Sequence, residues 1–313
     1  MSGDEVGVWG PARRLQAADI ADRFFLKHQT KVEIAKQLGL SRFQVARWLD
    51  GALARGLVHI DVTAGDNLDH TASEALRRAY GLRRAFVTTP RAGATVASVA
   101  AELLSEIVGA DEVLGLAWSR TVNDVVEALD HLSPCAVVQL CGTYALPWRH
   151  DTSAETVSRA GAVCGGLAFP IYAPLVLPDH RTTTAMRAQP GVAEALRMFP
   201  GLTKAVVSIG AWKPKHSTVH DLLPEQERRA LTDQGTTAEL VGLLLDADGR
   251  ILDTELSTRV LAIDADTLRA VPEVIALVRE PERASAARAA LRSGLVTTIV
   301  TDICTANAMM RLS

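Results

Sequence analysis

The pattern of apolar and polar residues between positions 31 and 60 predicts two short helices joined by a tight turn. Apolar residues at helical spacing give each helix one buried face: Ile34, Ala35 and Leu38 in the first, and Val45, Leu49, Ala52 and Leu53 in the second. Gly39 is suited to end the first helix, and Ser41 can cap the second by accepting a backbone N–H. Another helix is predicted over residues 11–27, so the segment has the pattern of a helix-turn-helix.

The outer face of the second helix carries residues that suit a DNA reader, because Arg42, Phe43, Gln44, Ala46 and Arg47 lie opposite its apolar face. The major groove of DNA admits a short helix, and Arg and Gln near its N-terminus can contact base edges and phosphates. We therefore predict a DNA interface with the following members: Lys31, Ser41, Arg42, Phe43, Gln44 and Arg47.

The residues that follow predict the end of this first domain. Leu57–Val62 alternates like a short strand, which favours a wing beside the helices. The polar, turn-forming sequence AGDNLD at 64–69 indicates a linker. We accordingly place the domain boundaries at 11–62 for the helix-turn-helix domain, 63–70 for the linker and 71–313 for a second domain.

Short apolar strands alternate with helices throughout the second domain. Strand Glu112–Ala117 precedes helix Thr121–Leu129, a strand is predicted over Glu239–Leu245, and helix Pro281–Ser293 follows a strand at Val274–Val278. Alternation of this kind predicts parallel strands joined by right-handed helical crossovers. The fold class is therefore α/β: a winged-helix-like head followed by a Rossmann-like, mostly parallel domain.

The length and composition allow two hydrophobic cores, and the charge differs modestly between the two predicted domains. The chain has 313 residues, of which 48% are apolar, and a net charge of −3. Residues 1–60 carry nine Lys and Arg against six Asp and Glu, whereas the remainder carries 24 against 30. A mildly basic head on an acidic body suits a protein that contacts phosphates with one part only.

Neither a metal nor a membrane span is expected. The four cysteines lack zinc spacing, and buried reduced thiols are the simplest interpretation, with a redox or metal sensor as the alternative. We see no signal peptide and no apolar run long enough for a membrane helix. The sequence therefore predicts a cytoplasmic protein with no membrane contact, no metal and no cofactor.

Ligands of open α/β sheets bind beyond the carboxyl ends of the strands, so residues that follow strands are the candidate binding groups. Ser119, Arg120 and Thr121 would begin a helix after strand Glu112–Ala117, where free N–H groups and a guanidinium favour an anion. The alternative is an ordinary turn with a hydroxyl cap. Trp118, beside them, could pack over a sugar ring or belong to the core.

Three further strand ends offer weaker candidates. Gly142 allows close approach of a ligand, and Thr143 beside it can donate a hydrogen bond. Asp302 could accept from sugar hydroxyls or cap the last helix. Arg283, in the first turn of a helix, opposes the helix dipole unless an anion binds there; a solvated surface arginine is the alternative.

The histidines of the sequence KHSTVH, His216 and His220, are four residues apart. Such spacing can hold zinc on a helix, but the Glu of the His-Glu-x-x-His motif is missing and no third ligand stands out. We therefore expect a polar loop over the pocket instead of a metal site.

The order and spacing of six sequence blocks resemble the SorC family of bacterial sugar-sensing transcriptional regulators. The resemblance spans about residues 12–313. The blocks that carry it are Ile34–Leu49, Gly115–Val122, Val137–Tyr144, Val207–Trp212, Leu243–Thr254 and Ala290–Met309.

This resemblance implies an effector domain similar to sugar-phosphate isomerases and glucosamine-phosphate deaminases. It implies a phosphorylated sugar or polyol as effector, duplex operator DNA as partner, and assembly into homotetramers. By position, the phosphate loop of the family falls on residues 119–121, its pocket acid on Glu239, its basic residue on Arg283 and its Thr-Asp motif on Thr301 and Asp302. Two departures stand out: Trp-Ser-Arg-Thr replaces Trp-Gly-x-Thr, and Arg279–Glu282 replaces a glycine pair.

The sequence thus predicts a DNA-binding regulator that is not an enzyme. The predicted effector site comprises Trp118, Ser119, Arg120, Thr121, Gly142, Thr143, His220, Glu239, Arg283 and Asp302. One alternative is a sugar-phosphate isomerase or deaminase with an appended head, for which Asp302, Glu239 and His220 are the available acid–base groups. Another is a helix-turn-helix that contacts only protein.

Overall fold

The computed structural model describes residues 9–59, 65, 67–90, 93–143 and 153–312. By its internal contacts the chain divides into two compact units, Met1–Val62 and Thr63–Ser313. Each unit has its own cluster of buried apolar side chains.

Three helices form the first unit: α1 (Pro11–Ala21), α2 (Lys31–Leu38) and α3 (Arg42–Ala54). Gly39 ends α2 with a φ of 64°, a left-handed conformation that glycine adopts without steric cost. Ser41 then caps α3 by accepting from the backbone N–H of Gln44, whose side chain accepts in turn from the Ser41 N–H. The predicted helix-turn-helix is confirmed.

Three details of the first unit differ from the prediction. The first helix is α-helical only to Ala21, because a π-helical turn, Asp22–Leu26, follows and is closed by a hydrogen bond from Lys27 N to Asp22 O. Leu53 is 41% exposed, since it lies at the edge of the apolar stripe formed by the other three residues of that face. Leu57–His59 form no strand, and residues 60–62 lie outside the described residues.

The second unit alternates strands and helices. In chain order its elements are α4 (His70–Tyr80), β1 (Arg84–Thr88), α5 (Val96–Ile107), β2 (Val113–Leu116), α6 (Arg120–Glu127), β3 (Ala136–Gln139), α7 (Ser153–Cys164), β4 (Ala168–Phe169), α8 (His180–Arg187), α9 (Pro190–Met198), β5 (Lys204–Ala211), α10 (Thr218–Leu222), α11 (Glu225–Asp233), β6 (Ala238–Leu240), β7 (Leu243–Leu245), α12 (Ala265–Ala270), β8 (Glu273–Val278), α13 (Ala284–Arg292), β9 (Thr298–Asp302) and α14 (Ile303–Met310).

The main sheet has the strand order β1-β9-β8-β5-β2-β3-β4, and every neighbouring pair in it is parallel. Strand β6 pairs antiparallel with the end of β5, and β7 pairs antiparallel with β6. The predicted mostly parallel α/β fold is confirmed. None of the helices among the described residues is long and apolar enough to cross a membrane.

Helices cover both faces of the sheet. Successive residues of a buried strand point to opposite faces, so Val206 joins one apolar cluster with α5, α6 and α7, whereas Ala205 and Val207 join the other with α13. Burial on both faces explains why these strands read as continuous apolar runs in the sequence.

The predicted strand Glu239–Leu245 is wrong as a single element, because the chain turns back at Val241 and Gly242 to make the hairpin β6–β7. Gly242 has a φ of 85°, which permits this tight turn. The prediction also missed the short helices α8, α10 and α12.

We expect Gly142→Ala to lower the free energy of unfolding by about 1–3 kcal/mol, as overpacking does. A Cβ at this position would lie 2.6 Å from the Pro174 carbonyl oxygen and 2.7 Å from that of Ala173. Urea denaturation without ligand measures the loss. Gly191→Ala, in α9, is the matched control, because a Cβ at this position meets nothing within 4 Å. This substitution should leave the free energy of unfolding unchanged or raise it slightly. Equal stability of both variants would contradict the packing.

Candidate functional site

A cleft opens where the direction of the chain across the sheet reverses. Strands β2, β3 and β4 succeed one another towards one edge, whereas β5, β8 and β9 succeed one another towards the other. Strands β2 and β5 are neighbours, so the connections that leave their carboxyl ends diverge. The resulting cleft has a volume of about 670 Å³, within the range of small-molecule sites.

The start of α6 forms one wall of the cleft. Ser119 is its N-cap and accepts a 3.0 Å hydrogen bond from the Val122 N–H. Trp118, Ser119, Arg120 and Thr121 all line the cleft, which places these four predicted residues together. Arg120 is exposed there, whereas Trp118 and Thr121 are buried.

Glu239 lies on β6 at the buried end of the cleft. Its carboxylate accepts from the Gly242 N–H at 2.7 Å and from the Ser217 hydroxyl at 3.2 Å. Burial raises the pKa of Glu239, although these two hydrogen bonds and the charge of Arg283 act in the opposite direction. The close approach requires Gly210, because a Cβ there would lie 2.9 Å from the Glu239 carboxylate.

Arg283 ties several segments of the cleft together. Its Nη1 donates to the carbonyl oxygens of Ile209, at 3.1 Å, and His216, at 2.7 Å, while its Nε donates to Glu280 at 3.1 Å. The predicted helix over 281–293 begins as a 3-10 turn, and α13 starts at Ala284 with Arg283 as N-cap. This guanidinium is therefore held by protein acceptors and is neither a solvated surface group nor dependent on a bound anion.

Backbone strain is concentrated in the same place. Lys215, Val241 and Glu280 line the cleft and have φ values of 65°, 53° and 83°. Residues other than glycine rarely adopt positive φ, and a β-branched residue such as Val241 does so least readily. Strained residues persist only where surrounding contacts hold them, and they cluster at functional sites.

Four predicted effector residues do not line this cleft. Gly142 is packed against the backbone at 173–174, and Thr143 donates through both N and Oγ1 to the Ala173 carbonyl. Asp302 caps α14 by accepting from Thr305. His220 is buried in α10, against the ring of Trp212. The expected polar loop over the pocket is limited to the first half of KHSTVH, because Lys215, His216 and Ser217 line the cleft before the helix begins at Thr218.

Several lining residues were not among the predicted effector residues: Lys215, His216, Ser217, Asp221, Arg279 and Glu280. The polar run that begins at Lys213, just beyond the end of β5 at Ala211, was a usable signal for some of them. Burial, followed by the charge of Arg283, lowers the pKa of His216. Among the described residues, no group of three His, Cys, Asp or Glu is placed to hold a metal ion.

The first unit presents the predicted DNA-reading face to solvent. Phe43 is 82% exposed, and Arg42 and Arg47 are exposed with it on the outer face of α3. Ser41 and Gln44 build the capping box at the N-terminus of the same helix. Lys31 begins α2, with its Nζ 5.5 Å from the ring centre of Phe24.

Comparison with known proteins identifies the family. A family model described as "Putative sugar-binding domain" matches residues 67–311. The crystal structure of the full-length sorbitol operon regulator SorC from Klebsiella pneumoniae is similar to this chain, with a TM-score of 0.74 and 20% identity over 96% of this chain and 100% of that one. The chain belongs to the SorC family. The resemblance inferred from the six sequence blocks is confirmed.

Two curated relatives match this SorC-family chain over most of their length. The transcriptional regulator YjhU of Escherichia coli K12 is 23% identical over 304 residues, covering 92% of each chain. The deoxyribonucleoside regulator of Bacillus subtilis is 22% identical over 301 residues, which is 93% of this chain and 96% of the relative.

The buried carboxyl of Glu239 makes stability depend on pH. The pKa of Glu239 in the folded chain lies above its ordinary value of 4.5, so between these two pKa values the folded chain keeps a proton that the unfolded chain releases. The free energy of unfolding therefore falls as pH rises from 4.5 to the folded pKa. A glutamine at this position cannot titrate, so Glu239→Gln lacks this loss. The free energy of unfolding of the variant minus that of wild type should therefore increase as pH rises. Urea unfolding between pH 4.5 and 8 tests this.

The control for this experiment is Glu194→Gln, which removes an exposed carboxylate on α9. Its difference from wild type should stay nearly constant across the same pH range. A Glu239→Gln difference that is equally flat would show that the buried carboxyl is not perturbed.

Proposed function

We propose that this chain is a DNA-binding transcriptional regulator whose operator affinity is controlled by a carbohydrate that binds in the cleft between β2 and β5. The observation that carries the proposal is the presence, in one chain, of an exposed helix-turn-helix face and a ligand-sized cleft at the switch point of an α/β sheet. The names of the relatives, which include sorbitol operon and deoxyribonucleoside regulators, support it.

The α3 helix supports DNA as the partner of the first unit. Its apolar residues Val45 and Leu49 are buried, so the helix is fixed with Arg42, Phe43 and Arg47 facing outward. A capped helix N-terminus with two arginines on one face suits the major groove, where arginine contacts guanine edges and phosphates. In our proposal Lys31 and Ser41 contact the phosphate backbone beside this helix.

The lining of the cleft supports a polyhydroxylated ligand. Trp118 and Ile209 offer apolar surface for the C–H face of a sugar, while Thr121, Ser217 and Glu239 offer hydroxyl and carboxyl partners. A few convergent polar groups on a mostly apolar wall are typical of small-molecule sites. Such a ligand controls DNA binding only if it has different affinities for two arrangements of the protein.

The proposal includes homotetramer assembly and action in the cytoplasm, the compartment that holds the chromosome. It also includes the absence of catalysis. An isomerase or deaminase would need an acid and a base near one carbon atom. Of the three candidate groups, Glu239 lines the cleft, whereas Asp302 caps α14 and His220 packs against Trp212. If the purified protein formed products from pentose or hexose phosphates, the proposed absence of catalysis would be contradicted.

We expect Arg42→Ala and Arg47→Ala each to weaken specific DNA binding by about 1–3 kcal/mol, if each arginine contacts a base. The probe is a duplex selected by the wild-type protein from random sequences, with affinity measured by fluorescence anisotropy at several salt concentrations. Arg13→Ala, an exposed arginine on α1, is the control and should retain wild-type affinity. Failure of the wild type to bind any duplex at low salt would refute the DNA-binding role.

Sugar binding is tested by a thermal-shift screen of free and phosphorylated sugars and polyols, because a ligand of the folded state raises the melting temperature. We expect the active compound to change affinity for the selected duplex. Thr121→Val removes a cleft hydroxyl at nearly constant side-chain volume and should weaken binding of the active compound by about 0.5–1.5 kcal/mol. The control, Thr184→Val on α8, should bind it normally. A compound that binds but leaves DNA affinity unchanged would contradict the regulatory mechanism.

A further inference from the structure

Glu280 has an unusual backbone conformation at the mouth of the cleft. It lies between β8 and α13 with φ 83° and ψ 117°, and a positive φ of this size is much more accessible to glycine than to other residues. A residue with a side chain therefore occupies a position that would be relaxed with glycine. Such strain persists only when the surrounding contacts impose it, so the contacts of the Glu280 side chain are informative.

The carboxylate of Glu280 contacts two basic side chains of the cleft, Arg283 and His216. Its Oε2 accepts from Arg283 Nε at 3.1 Å and lies 3.4 Å from His216 Nδ1. Burial raises the pKa of Glu280, but the hydrogen bond and charge of Arg283, with the charges of His216 and Arg120, outweigh burial and lower it. Glu280 is therefore a negative charge held against Arg283.

Two other charged side chains that line the cleft, Arg279 and Asp221, also contact protein groups. Arg279 forms an ion pair with Asp124 on α6 at 3.2 Å. The carboxylate of Asp221 accepts from the backbone N–H of Lys215 at 3.0 and 3.2 Å. The protein thus supplies its own carboxylates to Arg279 and Arg283, two of the positive groups that an anionic ligand would use.

A phosphorylated ligand and an uncharged ligand meet this arrangement differently. A phosphate monoester carries close to two negative charges at neutral pH, and in a partly buried cleft repulsion by a neighbouring carboxylate is weakly screened. A hydroxyl has no such penalty, because a carboxylate accepts hydrogen bonds from it. The same residue therefore disfavours one form of a sugar and favours the other.

We propose that Glu280 is a specificity-determining residue: it acts as an internal anion, so that the cleft selects an uncharged sugar or polyol over its phosphorylated form. This inference rests on the proposed function, because it names the charge of the ligand that the same cleft takes. It differs from the phosphorylated effector that the family resemblance implied.

The first experiment uses inorganic phosphate and sulfate and needs no knowledge of the sugar. Purified full-length wild type, Glu280→Gln and Glu280→Gly are titrated with each anion at pH 7.5 and constant ionic strength, and binding is followed by thermal shift and calorimetry. We expect both variants to bind phosphate at least about tenfold more tightly than wild type. Equal anion affinity in wild type and both variants would overturn the inference.

The second experiment uses matched pairs of free and monophosphorylated pentoses, hexoses and hexitols. For the pair that binds, wild type should prefer the free form, and Glu280→Gln should narrow or reverse that preference. A wild type that prefers the monophosphate refutes the role of Glu280 but leaves carbohydrate control standing. If no compound of either form binds any variant, the proposed function fails, whereas the anion titration still decides the role of Glu280.

Controls separate charge from folding. Glu282→Gln removes an exposed carboxylate two residues away that does not line the cleft, and it should keep the wild-type preference. Glu280→Gly removes the positive-φ strain together with the charge, so it should be at least as stable as Glu280→Gln in urea. If Glu282→Gln gains phosphate affinity as strongly as Glu280→Gln, the selectivity comes from net charge and the inference is overturned.

Discussion

The divergence of the chain between β2 and β5 is the constraint on which the rest of this structure depends. Two parallel neighbours end at the same edge of the sheet, yet α6 continues onto one face and α10 and α13 onto the other. Because no crossover can cover the gap between them, the strand ends leave a crevice whose polar backbone groups need partners. The capping of α6 by Ser119 and the hairpin that carries Glu239 supply partners at its two sides.

Arg283 is the group that makes this crevice a defined cavity. Its guanidinium joins the end of β5 and the following loop, through the carbonyls of Ile209 and His216, to the segment after β8, through Glu280. A planar fork of donors is pre-organised for several acceptors at once, which a lysine could not satisfy in the same way. The positive φ values of Lys215, Val241 and Glu280 occur around this junction, so the strain lies where the long-range contacts are able to hold it.

The sequence was most informative where structure is decided locally. The Gly39–Ser41 turn and the start of α6 at Ser119 depend on neighbouring residues only, and both were predicted within a residue or two. Of the predicted effector residues, those of the α6 start, Glu239 and Arg283 come together, whereas Gly142, Thr143, His220 and Asp302 serve packing or capping. Those four lie outside the cleft because a residue after a strand end can equally satisfy its own backbone, and sequence alone does not say which polar group remains for a ligand. The β6–β7 hairpin was missed because its turn begins at Val241, a residue with no turn signal.

The positions that define a family and the positions that define a ligand need not coincide. The sheet, the helix-turn-helix and the cleft follow from apolar periodicity and short turns, which tolerate about 20% identity to the sorbitol operon regulator. The charge balance inside the cleft is set by single side chains that the fold does not require. Glu280 is such a residue: glycine would satisfy the backbone better, so packing does not explain a carboxylate there, whereas its approach to Arg283 and His216 does. The position of Glu280 thus follows from electrostatics within the cleft and not from local backbone preference. The charge of the ligand should therefore be inferred from the contacts of this residue before it is inferred from the family.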